Sequence, residues 1–147
     1  MKAILSATIA ALTLALPAYA AGDAAKGEAT FKQCQTCHMV MDDTGAVLAG
    51  KGKTGPNLYG VFGRQAGSYP DFKYGESIVA AGAAGLVWNE ADFVAYVQDP
   101  AAFLKEKLAD SGAKSKMMFK VKDAAIAADL YAYLSQFSPN APAPVTP

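Results

Sequence analysis

Residues 39 to 70 carry glycines at positions 45, 50, 52, 55, 60, 63 and 67 and almost no apolar periodicity, and no other stretch limits the fold of this 147-residue chain so tightly. A loop of that length without strands of its own is unusual in a compact domain. It makes physical sense where the loop wraps a bound body instead of packing on itself. Only a helical turn near Leu58 is expected within it.

The rest of the chain reads as helices. Asp23 is placed to cap a first helix on which Gly27, Phe31 and Cys34 recur on one face. Residues 76 to 81 suit a short helix. Asn89 starts another, with Asp92 at its third position in a near capping-box arrangement and Phe93, Tyr96 and Val97 along one side. Asp99-Pro100 ends that helix and opens the next, because proline suits a first helical position, and Phe103, Leu104 and Leu108 give the new helix an apolar side. Asp123 caps the clearest helix, on which Ile126, Leu130, Tyr133, Leu134 and Phe137 recur at helical spacing. No convincing alternating strand pair appears, so the expected fold class is all-α.

The ends of the chain bound its compartment. Lys2, the apolar run 3 to 16 and the small-x-small signature Ala18-Tyr19-Ala20 read as a secretory signal peptide cut after Ala20. The apolar run is shorter than the roughly 20 residues that span a bilayer, and Pro17 interrupts it. The division expected is therefore a signal peptide at 1–20, one domain at 21–137, and a disordered tail at 138–147 with four prolines. Losing Lys2 leaves 12 basic against 13 acidic residues, too even a balance for a general nucleic-acid binder.

Cys34-Gln35-Thr36-Cys37-His38 gathers the only two cysteines and the only histidine. A thioredoxin-like motif would need a βαβ setting that is missing. A disulfide across two residues would restrain little of the unfolded chain, because stabilisation grows with loop length. Zinc would need a second ligand cluster, and none exists. The spacing C-x-x-C-H instead matches c-type haem attachment, in which two thiols add to two vinyl groups and the adjacent histidine ligates the iron. With one histidine, the opposite ligand must be a different residue type. Met39 and Met41 follow His38 too closely to reach the other face, and Met1 leaves with the signal, so Met117 or Met118 remains. Both lie beside the polar run 112–116, an odd place for methionines that merely fill a core.

These stretches together resemble a class I c-type cytochrome, most closely the bacterial cytochrome c2 group. "CQTCH", "KTGPNLYGVFGR", "FKYGES", Trp88, "YVQDP", "KMMF" and "DLYAYL" occur in the order and approximate spacing of that family. The resemblance implies the cytochrome c fold, helices and glycine-rich loops around one haem c bound covalently through Cys34 and Cys37. It selects Met117 as the partner of His38 on the iron, since K-M-x-F supplies its first methionine. It further implies that the Pro56 carbonyl holds the His38 ring, and that Arg64, Tyr74 and Trp88, helped by Ser115, meet a buried propionate. Tyr96 is expected near the Met117 sulfur, and Gly27 with Phe31 against Leu130 and Tyr133. The segment 101 to 113 is longer than in the short mitochondrial pattern, and the tail is extra.

The resemblance implies a monomeric one-electron carrier of the periplasm, not an enzyme, taking electrons from a cytochrome bc-type complex to a photosynthetic reaction centre or a terminal oxidase. The alternative is a small haem enzyme or ligand-binding haem protein with an open sixth position, which would bind carbon monoxide quickly when reduced. Docking is expected through lysines 105, 107, 114, 116, 120 and 122, set against only Glu106 and Asp110 nearby, with Lys32 and Lys53 completing a ring.

Overall fold

The computed structural model describes residues 22–141. The expected signal peptide and residues 142–147 lie outside them. Along the described chain run α1 (Ala24–Cys34), β1 (Met39–Met41), β2 (Val47–Gly50), α2 (Glu76–Ala83), α3 (Glu90–Gln98), α4 (Pro100–Leu108) and α5 (Ala124–Ser135).

Each helix that the caps announced begins at its cap. The carboxylates of Asp23 and Asp123 each accept two backbone N–H groups of the following turn, and Asp99 accepts the N–H of Ala102. Asn89 and Asp92 form a reciprocal pair: Asn89 accepts the N–H of Asp92 at 3.0 Å and donates to its carboxylate at 2.7 Å. The long segment 101–113 is largely α4, which packs against α2 and α3. Ala109 ends it in the left-handed region, at φ 49°.

The terminal helices make the frame. Helix α1 crosses α5 where Gly27 is buried, and a Cβ on Gly27 would strike the carbonyl of Asp129 and come within 2.7 Å of the Tyr133 Cβ. Only glycine lets the two backbones approach so closely. Phe31 leans on Tyr133 at 5.4 Å between ring centroids, as expected, with Leu130 in the same core. Phe62, fully buried, then joins the glycine-rich loop to the helices by packing edge-on to Phe93 at 5.1 Å and against Tyr131 at 4.3 Å. Burying a ring of that size contributes about 2–3 kcal/mol, enough to seat the loop on α3 and α5.

Three expectations need adjustment. The loop is not strand-free: β1 and β2 form a short antiparallel ribbon around the turn Asp42–Ala46, with a register shift between Val40 and Met41. Val40 and Met39 are buried while Val47 and Leu48 are exposed, so neither strand shows the alternation that marks a half-buried strand. Nor does packing stop at residue 137. Ser138 is 4 % exposed, its hydroxyl accepts the N–H of Phe62 at 3.4 Å, and Ala141 packs on the core, so 138–141 belong to the domain and not to a disordered tail. Ile126, read as a core position, is 43 % exposed in the first turn of α5.

Candidate functional site

Helix α1 ends at Cys34, and the N–H groups of Cys37 and His38 both fold back onto the Cys34 carbonyl, at 3.0 and 2.9 Å. That turn places both sulfurs and the imidazole on one bend of chain. Cys34 is half-buried and Cys37 exposed, and neither forms a disulfide. Burial, helped by the neighbouring Cys37, pushes the Cys34 thiol up to about 11.

Nδ1 of His38 lies 2.8 Å from the Pro56 carbonyl oxygen. A carbonyl only accepts, so Nδ1 carries the proton and Nε2 is left with its lone pair. Burial lowers the His38 pKa from its ordinary value, the bond to Pro56 opposing it, and the ring is therefore neutral at neutral pH. The ring also rests flat on backbone: a Cβ on Gly55 would come within 2.6 Å of Nδ1 and 2.9 Å of Nε2. Position 55 is a cradle that any side chain would fill.

The two methionines differ sharply. Met117 is half-buried and packs against the core, whereas Met118 is 82 % exposed. The Met117 N–H donates to the Ser115 hydroxyl at 3.1 Å, and that hydroxyl lies 3.3 Å from the Tyr96 hydroxyl. Tyr96 thus reaches Met117 through Ser115 and the backbone. The loop is pinned on both sides, by Lys114 N–H to Ser77 Oγ at 3.0 Å and Lys116 Nζ to the Lys73 carbonyl at 2.7 Å before Met117, and by Val121 N–H to the Val97 carbonyl at 2.8 Å after it.

Arg64 and Trp88, distant in sequence, meet through extended backbone: Trp88 N–H donates to the Arg64 carbonyl at 3.0 Å, and Gly63 N–H to the Trp88 carbonyl at 2.9 Å. The Arg64 guanidinium donates to the carbonyls of Tyr59 at 3.0 Å and Asn57 at 2.9 Å and lies over the Tyr69 ring. Two of its five N–H groups are thereby used, leaving three for an anionic group. Burial raises the Tyr74 pKa, and the charge of Arg64 opposes that rise. Trp88 is buried with its ring 5.0 Å from that of Tyr96. No hydrogen bond among the described residues joins His38 to Met117 directly. The link between the flanks runs from Pro56 through Asn57, Arg64, Trp88, Tyr96 and Ser115. Asn57, which sequence reasoning passed over, sits next to Pro56 at the His38 end of it, and a polar residue in a glycine-rich loop gives little sign of being 9 % exposed. Two surface hollows, one beside Leu86 and Lys107 and one beside Gln98 and Phe103, include none of these residues.

The donor set fits a c-type haem. Two unbridged thiols at the right spacing, a neutral imidazole with Nε2 available, a thioether held near the core and an arginine with spare N–H groups supply every contact such a group needs. No family model matches the chain. Curated relatives do: it is 55% identical over 130 residues to cytochrome c2 of Rhodobacter capsulatus, covering 88% of this chain and 93% of that protein. It is 51% identical over 150 residues to cytochrome c-550 of Paracoccus versutus, covering 100% and 96% of the two chains. Among solved structures, cytochrome c2 from Rhodobacter sphaeroides superimposes with a TM-score of 0.78 at 55% identity, over 80% of this chain and 97% of that one. Ferric cytochrome c-550 from Paracoccus versutus gives 0.76 at 49% identity, over 80% and 99%. The fold, the haem-attachment pentapeptide and these relatives agree: the chain belongs to the cytochrome c2 family of class I c-type cytochromes, electron carriers and not enzymes, with one covalently attached haem c.

Proposed function

We propose that His38 and Met117 fill the two axial positions of the haem iron, that Cys34 and Cys37 hold the macrocycle, and that the protein shuttles single electrons in the periplasm between a cytochrome bc-type donor and a reaction centre or terminal oxidase. The haem supplies the one-electron iron couple, tuned upward in potential by methionine ligation and apolar surroundings. The residues of this chain do the rest. Pro56 fixes the His38 tautomer, and Gly55 lets the ring lie flat. Ser115 and Tyr96 position the backbone of Met117. Arg64, Tyr74 and Trp88 provide a cation and polar groups for a buried propionate. With His38 and Met117 both holding the iron, the chain would leave no place there for a substrate, which suits a carrier that only passes electrons.

The observation that carries the ligand assignment is the contrast between neighbours: Met117 packs on the core and Met118 stands in solvent. Replacing Met117 with Ala should abolish the sulfur-to-iron absorption band of the oxidised protein, and Met118→Ala should keep it. Loss of the band with Met118→Ala alone would overturn the choice.

Docking would use lysines near the haem-bearing segments. Of the run 105–122, Lys107 and Lys120 are each tied to a carboxylate at 2.7 Å, those of Asp92 and Asp99, which reduces what they offer a partner. Lys32, Lys53 and Lys114 are exposed beside the attachment cysteines, the His38 loop and the Met117 loop respectively. A patch of this kind speeds encounter without demanding a tight complex, as a shuttle requires. The cytochrome c2 relatives support the reading of the chain as a small electron carrier. No helix among the described residues is long and apolar enough to cross a membrane.

A further inference from the structure

The Asn57 side chain behaves as an extra peptide unit. Its Oδ1 accepts the N–H groups of Met41 at 2.9 Å and Tyr59 at 3.1 Å, and its Nδ2 donates to the Met41 carbonyl at 2.7 Å and the Tyr69 hydroxyl at 3.4 Å. Met41 closes β1, whose other edge is paired with β2. Asn57 therefore satisfies both main-chain groups of Met41 on the open edge, as a neighbouring strand would, and Leu58 N–H continues the pairing onto the Met39 carbonyl at 2.9 Å. The backbone of Asn57 is held in turn, its carbonyl accepting from Arg64 at 2.9 Å.

Consider what this frame encloses. Met41 follows His38 by three residues and Asn57 follows Pro56 by one, so the Asn57–Met41 bridge and the His38–Pro56 bond are the two rungs of one small ladder. If the first rung is removed, Leu58 N–H, the Gly55 backbone and the Arg64 bonds to the Asn57 and Tyr59 carbonyls are left to keep the Pro56 carbonyl at 2.8 Å from Nδ1. We infer that Asn57 is a positioning residue for His38: it sets the strength of the hydrogen bond on Nδ1, and through it the electron donation of the imidazole to whatever Nε2 binds. This rests on the reading of His38 as an iron ligand. The physical basis is general, since the partner on the far nitrogen of a ligating histidine fixes its orientation and raises its basicity.

The test uses the full haem-loaded protein with Asn57→Ala, and Asn57→Asp, which keeps the two acceptor bonds but loses both donors and so carries the test if the alanine variant does not accumulate. The readouts are solvent exchange of the His38 Nδ1 proton by NMR and the reduction potential. Exchange should quicken by about tenfold in the alanine variant, the effect of losing a buried hydrogen-bond partner, and less in the aspartate variant. The potential should rise, because a weaker Nδ1 bond makes a poorer donor. Leu104→Ala, at a fully buried site, serves as the structural control and should lower stability while leaving both readouts alone. Hyperfine-shifted His38 ring signals in the unaltered protein test the ligation itself, and their absence would overturn it and this inference together. Their presence, with Asn57 variants that match the Leu104 control, would overturn this inference alone.

Discussion

Gly55→Ala should damage the site more than its single added methyl suggests. The new Cβ would come within 2.6 Å of Nδ1 and 2.9 Å of Nε2 of His38, where carbon contacts settle near 3.5 Å, so the ring must retreat by about 1 Å. Backbone relief is closed off, because the Gly55 N–H donates to the Cys37 carbonyl at 2.7 Å and its neighbour Pro56 holds the ring. A retreat of that size takes the 2.8 Å bond to Pro56 past the useful range for N–H···O. Overpacking costs about 1–3 kcal/mol and the lost buried bond about 1 kcal/mol more, so the variant should lose roughly 2–4 kcal/mol. Gly60→Ala supplies the comparison: nothing lies within 4 Å of its Cβ, and only the positive φ of 63° is strained, at about 1–2 kcal/mol. Guanidinium unfolding of both, with reduction potentials, separates the two kinds of cost. The potential should move for position 55 and stay for position 60. Equal stability losses and an unmoved potential in Gly55→Ala would show that the ring does not rest on this glycine.

Further outcomes follow from the same geometry. Ala109→Gly should raise stability by about 0.5–1 kcal/mol in a denaturant titration, since Ala109 closes α4 at φ 49° where glycine is preferred. Asp99, whose carboxyl is held below its ordinary value by Lys120 and by the N–H of Ala102, contributes stability above about pH 4 that is lost as pH falls through its lowered native value. Asp99→Asn should therefore be less stable at pH 7, and the gap should close in acid. Changing Lys53 and Lys114 together to Glu should slow reaction with an acidic redox partner at low salt, with rates converging on the unaltered protein as salt rises; a salt-independent difference would point to another face.

Much of this was legible in the chain because it is local chemistry. Asp23, Asn89, Asp99 and Asp123 announce their helices through side chains that answer their own first turns. The pentapeptide 34–38 states its chemistry through spacing alone. What escaped depends on contacts between distant residues. The β1–β2 ribbon is too short to alternate, Asn57 looks like a turn former until Met41 is placed beside it, and Ser138 is tied to the core by the N–H of Phe62, far away in sequence. The lysine run 105–122 looked more basic than it is, because Asp92 of α3 meets Lys107 and Asp99, the cap between α3 and α4, meets Lys120.

The central claim, that the chain itself closes both faces of the iron and leaves only electron transfer, is tested most directly by mixing the reduced, haem-loaded protein with carbon monoxide at neutral pH and following the visible spectrum. The spectrum should stay unchanged over many seconds. An immediate shift to that of a carbon monoxide complex would mean that Met117 leaves the iron accessible, and would contradict the assignment of a pure electron carrier.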